Sequence, residues 1–255
     1  MIRVGLVGFG FIGEGIFRRL TALPEAYEVA FVHVRSKRPL AGVPSPLVLT
    51  DLAQAGDAAP DLIVEMAGPD VTVRYGEALL EVADYMPLSL TALADDAMLA
   101  RLTEAANEHG HAMHIAHGAL VGMDSLIEWR DQWDDVTITF RKPPASLGNV
   151  SDTAGAQILF DGSVREIAAR YPNNVNAMVA CALATTGLNA CRARLIVDPA
   201  LTHLELEIDA RARDGASISI RRRQPAIGVS GSEMVASVFH SIERATRRIS
   251  GISFV

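Results

Sequence analysis

The chain has 255 residues, with 23 Lys+Arg against 30 Asp+Glu and a formal charge of −7. Hydrophobic residues make up 49% and charged residues 21%, an ordinary globular mix that excludes a disordered chain. The acidic excess argues against a nucleic-acid partner, which needs a basic stripe to displace counterions from phosphates. At this length one large domain or two intimate ones both fit, and no disulfide or metal staple is needed for a sizeable core. Cys181 and Cys191 make neither a disulfide framework nor a zinc signature, so a reduced, cytoplasmic protein is the expectation.

The first apolar run, Arg3–Val7, leads into glycines at 8, 10 and 13 with no small-x-small cleavage site. It reads as a buried strand and turn rather than a signal peptide. No apolar run reaches the roughly 18 residues of a bilayer span, so a soluble protein without a membrane partner is expected. Further apolar runs follow at 28–34, 61–65, 85–89 and 112–116. Helical spacing separates them at 13–23, 71–82 and 95–109. Strands without polar alternation, interleaved with helices, predict an α/β fold with an open, mostly parallel sheet.

Near Gly118 the pattern changes. Residues 136–141, 194–197, 203–212 and 216–223 alternate with period two, which predicts a mainly antiparallel sheet with one wet face. Asp214-Gly215 predicts a type I′ hairpin turn. Ser163-Val164-Arg165-Glu166 is a capping-box pattern opening a helix, and Pro172-Asn173-Asn174 opens another with Asn as N-cap. A last amphipathic helix covers about 232–248.

Gly8-Phe9-Gly10-Phe11-Ile12-Gly13 follows the first strand and opens a helix. Gly8 permits the tight turn, Gly10 lets backbone approach a pyrophosphate, and Gly13 lets the helix pack on the sheet. The N–H groups at the helix start, around Phe11 and Ile12, then face the anion. This context predicts a Rossmann-type dinucleotide site. An acid about 20 residues further on normally binds the ribose of NAD. Here the second strand ends in Val34-Arg35-Ser36-Lys37-Arg38, with no acid and three cations. Arg35 and Ser36 thus favour NADP over NAD, a solvated basic loop being the alternative.

Several blocks then point one way: Val64-Glu65-Met66-Ala67, Leu90-Thr91-Ala92-Leu93-Ala94-Asp95 and His117-Gly118-Ala119-Leu120-Val121-Gly122. So do Arg141-Lys142-Pro143-Pro144, Leu159-Phe160-Asp161-Gly162-Ser163-Val164-Arg165-Glu166 and Asn174-Val175-Asn176. Together with the glycine turn they resemble the L-aspartate dehydrogenase family over essentially the whole chain. The resemblance implies a Rossmann domain of residues 1–118 plus about 230–255, and an inserted α+β domain of 119–229 similar to that of dihydrodipicolinate reductase. It implies oxidation of L-aspartate to iminosuccinate with NAD or NADP, or the reverse from oxaloacetate and ammonia, in a homodimer. Many relatives serve NAD biosynthesis.

Laid on matching positions, the resemblance adds Ala67, Ala92, Gly118, Ala119, Asn174 and Asn176 to the cofactor set. It implies His203, after Asp198-Pro199, as the catalytic histidine; an imidazole can take the amine proton and activate water near neutral pH. Alternatively, His203 is a residue of the wet sheet face. His117, Lys142, Ser163 and Arg165 are candidates for substrate carboxylates, with capping and solvated strand ends as equal alternatives. Four departures from the family pattern stand out, one of them a short loop after Lys142-Pro143-Pro144. About three residues, including an Asn, are missing before His203. Gly228-Val229-Ser230-Gly231-Ser232 replaces a lysine-bearing segment, and His117 replaces a Ser. They leave open a related dicarboxylate as substrate, or a silent NADP(H) sensor. The run His109, His111, His114, His117 lacks convergent ligand spacing, so no metal is expected. Arg221-Arg222-Arg223 reads as a wet strand edge.

Overall fold

The computed structural model describes residues 1–147, 155–225 and 233–246. In chain order the elements begin β1 (Ile2–Val7), α1 (Phe11–Thr21), β2 (Tyr27–His33), β3 (Val48–Leu49) and β4 (Leu62–Glu65). Then come α2 (Pro69–Leu80), β5 (Asp84–Pro87), α3 (Asp96–His109), α4 (Met123–Glu128) and β6 (Trp133–Lys142). The second half holds β7 (Gln157–Ser163), α5 (Val164–Arg170), α6 (Asn176–Ala184), β8 (Arg192–Val197), β9 (His203–Ala212), β10 (Ser217–Pro225) and α7 (Met234–Thr246). The chain divides into two compact units. One holds Met1–Leu88, Ala100–Ala116 and the segment starting at Val235; the other holds Ser89–Leu99 and His117–Met234.

The first unit carries a five-stranded sheet in the order β3-β2-β1-β4-β5, parallel throughout. β4 is buried end to end and β1 from Val4 onward, which is why they lack polar alternation in the sequence. The run at 112–116, expected as a fifth full strand, is reduced to a single bridge between Tyr85 and Met113. α7 packs on α1: Gly15 leaves room for Val235, and the Phe239 ring meets Tyr27 edge-on under the Arg19 guanidinium. Ser232 and residues 247–248, expected in this helix, lie outside the described residues.

The second unit is built on a mixed sheet ordered β10-β9-β6-β8-β7. Its pairs are antiparallel except β6 with β8. Period-two alternation gives this sheet two unlike faces. Val136, Ile138, Phe140 and Lys142 on β6 point to the dry side with Leu204, Leu206, Ile208 and Ala210 on β9. Helix α6, Ala-rich and apolar on all sides, is buried around its whole circumference, as such a helix must be. Its N-cap is Val175, without a side-chain cap, so the expected Asn cap is not formed. The Asp214-Gly215 turn also differs. Only Gly215 has positive φ, and Ala212 N–H donates to the Ala216 carbonyl. The loop is therefore three residues with one left-handed glycine, not a type I′ pair.

Candidate active site

The glycine turn of the first unit is built by close approach. Gly8 has φ +100°, and a Cβ there would lie 2.9 Å from the Met66 backbone. A Cβ on Gly13 would lie 2.3 Å from the Gly8 carbonyl oxygen, so α1 starts hard against its own turn. Around Gly10 nothing lies within 4 Å of that position. Gly10 is the N-cap of α1 and offers no side-chain cap, which leaves first-turn N–H groups for an anion. Packed at Gly8 and Gly13 and open at Gly10, the turn fits a dinucleotide pyrophosphate. Beyond β2, Arg35, Ser36, Lys37 and Arg38 are exposed, and among the described residues none of the three cations has a carboxylate partner.

The turn after β4, where Ala67 sits, is held by a residue that sequence reasoning passed over. Glu65 is fully buried, and its carboxylate accepts N–H bonds from Ala67 (2.6 Å) and Gly68 (2.7 Å). Burial first, and then the Glu65 charge, push the Tyr85 phenol well above its usual range. An acid inside an otherwise apolar parallel strand was the signal that could have found it.

In the second unit the structure brings several expected residues together. Thr91, beside the buried Ala92, donates its hydroxyl to the Pro172 carbonyl (2.6 Å) and its N–H to Asn176 Oδ1 (3.2 Å). Two residues earlier the Asn174 carbonyl accepts from Lys142 Nζ at 3.1 Å. Lys142 is 6% exposed, and its Nζ lies 4.9 Å from the Phe140 ring centroid. Burial, with a smaller contribution from the Arg222 charge, lowers its pKa to about 8. Gly118 takes φ +52°, and His117 before it pairs with Asp124 at 3.2 Å.

His203 is placed elsewhere. It shares the wet side of β9 with Glu205 and Glu207, on the opposite face of the sheet from Lys142. Its Nε2 lies 2.9 Å from Glu205 Oε1 and 2.5 Å from Arg223 Nε. One ring nitrogen can give a proton to the carboxylate or accept one from the guanidinium; in either tautomer it is committed. The pairing holds the Glu205 carboxyl below its usual range.

Comparison with known proteins places the chain. The family model described as "Aspartate dehydrogenase, C-terminal" matches residues 127–245, and "Homoserine dehydrogenase, NAD binding domain" matches 8–116. L-aspartate dehydrogenase 1 of Bordetella pertussis is 34% identical over 84% of each chain. An aspartate dehydrogenase domain-containing protein of Xenopus tropicalis is 32% identical over 94% of this chain and 93% of its own. The chain belongs to the L-aspartate dehydrogenase family. The fold agrees: the crystal structure of aspartate dehydrogenase from Thermotoga maritima superposes with TM-score 0.76 at 24% identity, covering 98% of this chain and all of that one.

Within this family member, two expected carboxylate partners have other work. Ser163 forms a full capping box with Glu166 at the start of α5. Those hydrogen bonds hold the Glu166 carboxyl below its usual range. Arg165 spends its guanidinium on Asn189, the Ala94 carbonyl and Asp96. His111 binds the Leu80 carbonyl and His114 pairs with Asp84, so these histidines tie loops. Among the described residues no cluster of His, Cys, Asp or Glu can hold a metal, and no helix is long and apolar enough to cross a membrane. The segment 228–232 lies outside the described residues. Arg222, grouped in the sequence with two wet neighbours, has only 14% of its side chain exposed.

Proposed function

We propose that the chain is an NAD(P)-dependent L-aspartate dehydrogenase that prefers NADP and uses Lys142 as its proton carrier. The observation that carries this reading is a glycine turn open only at Gly10, in a chain 34% identical to an L-aspartate dehydrogenase. The cradle for the phosphates is Gly8 to Gly13, with Phe11 and Ile12 amides facing them and Arg35, Ser36, Lys37 and Arg38 available to a 2′-phosphate. When bound, the nicotinamide supplies the hydride acceptor for the substrate Cα.

That leaves the protons to the protein. The α-ammonium must lose one proton before its nitrogen can form a double bond to carbon. A buried lysine with pKa about 8 is partly neutral at mildly alkaline pH and can take one. Water then adds to the iminosuccinate carbon and ammonia leaves, giving oxaloacetate. His203, the residue the resemblance implies, is the second reading, supported by its carboxylate partner Glu205. The buried cysteines are free thiols, which fits the expected reducing cytoplasm, and a homodimer is the expected assembly.

The test follows NADPH absorbance with oxaloacetate plus ammonium, then NADP+ reduction with L-aspartate. Turnover in both directions supports the reading. Tight NADPH binding without turnover of any dicarboxylate replaces it with the sensor. A lower KM for NADP than for NAD, raised by Arg35→Ala, supports the cofactor preference; equal kinetics unchanged by that substitution remove it.

A further inference from the structure

The buried end of β10 carries an unspent set of polar atoms. Arg222 Nη1 pairs with Glu233 Oε1 at 2.8 Å. The other edge of the guanidinium is left over: Arg222 Nε is buried with no hydrogen-bond partner among the described residues. Two residues on, Gln224 is 8% exposed, and its Oε1 is likewise buried without a partner, as is Glu233 Oε2. Buried donors and acceptors are normally satisfied, and each one left over costs stability. A donor and two acceptors so exposed to loss mark a place prepared for a charged, hydrogen-bonding molecule.

Strand register fixes where this place lies. Arg222 pairs with Leu206 and Gln224 with Leu204, while Leu206 pairs on its other side with Phe140. Arg222, Gln224, Phe140 and Lys142 therefore share the dry face, with Leu204 and Leu206 of β9 as an apolar floor between β10 and β6. Two strand spacings, about 10 Å, separate the backbones of β6 and β10. The pKa of Arg222 is itself lowered, by burial first.

We infer that Arg222 is the specificity-determining residue for the substrate's side-chain carboxylate, which its Nε edge receives at the far end of the Leu204–Leu206 floor from Lys142. This rests on the reading above, in which Lys142 faces the amine. The carboxylate beside the amine then lies toward β6, and the one reaching β10 is the distal carboxylate of a four-carbon dicarboxylate. Glu233 fixes the guanidinium from its opposite edge.

The experiment compares oxaloacetate with 2-oxobutanoate, the same keto acid with a methyl in place of the distal carboxylate, under NADPH and ammonium. Arg222→Met is expected to lower kcat/KM for oxaloacetate by about 10- to 150-fold, the range for one charged hydrogen bond. It should leave 2-oxobutanoate within a few-fold. Arg222→Lys should retain part of the preference, and Arg222→Met/Glu233→Gln covers the case in which the lone Glu233 unfolds the single variant. An equal loss on both substrates, or none, overturns the inference and leaves the dehydrogenase reading standing. If the wild type turns over neither substrate, that reading fails, and thermal shift with succinate against butyrate decides the site by itself. A succinate-specific shift abolished by Arg222→Met upholds it; a shift unchanged by the substitution, or no shift, overturns it.

Discussion

Arg221, Arg222 and Arg223 are consecutive and identical, yet the sheet sends them to two environments. Arg221 and Arg223 stand on the wet face with 73% and 66% of their side chains exposed, paired with Glu207 and Glu205. Arg222 points to the dry face beside Lys142, and its charge is disfavoured there. The wet face is a lattice of paired charges, Asp161 with Arg192 and Arg194 among them, and such exposed pairs contribute little each. On the dry face a charge is costly, and its persistence calls for a task. One step along a pleated strand thus separates ordinary surface from the site proposed above.

The largest expected effect breaks this contrast at its centre. Lys142→Met should lower kcat by about 10²- to 10⁴-fold, the usual yield of acid–base catalysis, in steady-state assays with L-aspartate. The wild-type oxidative rate should rise through an apparent pKa of about 8, and Lys142→Met should lose that limb. Retained activity with an unchanged pH profile would return the proton to His203.

A smaller effect concerns stability. The folded-state pKa of Lys142 lies below its unfolded value near 10.5, so between about 8 and 10.5 the unfolded chain binds more protons. Stability therefore rises with pH across that window, and the penalty of charging the buried amine is fully present below it. Denaturant melts should show the wild type gaining on Lys142→Met by about 3 kcal/mol from pH 7 to pH 10.5. A pH-independent difference would mean that the amine is solvated.

On the wet face the expected effects shrink. His203→Asn should hold kcat within a few-fold, since its Nε2 is held between Glu205 and Arg223 on the wet face; a loss of 10²-fold or more would make it the catalytic base. Arg221→Gln should leave the denaturant midpoint unchanged, as surface substitutions do, since its side chain is exposed.

Much of the frame was legible because single local rules governed it. The glycine turn, the buried parallel strands and the α5 capping box each follow from a few adjacent residues. β7 was missed because its pattern is broken by Gly162 and by a register shift between Ile158 and Phe160. The two-residue β3 is too short to show periodicity. The site was harder to read. Arg165 carried the right charge, but its partners, 24 to 71 residues away in the chain, are structural. Arg222 was hidden inside a charge run, where residue type is uniform and only strand parity distinguishes the members. Lys142 was visible as a cation but not as a buried one, because its burial depends on Asn174 and β10, distant in sequence.

The glycine turn is rigid by construction. With Gly8 against the Met66 backbone and Gly13 against the Gly8 carbonyl, the loop has no slack to take up or lose. In the proposed reading its amides stand in their binding arrangement before any ligand arrives, so little conformational freedom remains to be frozen on association. Affinity for the dinucleotide is then set by the contacts themselves, and widening the loop would weaken binding without removing a single contact.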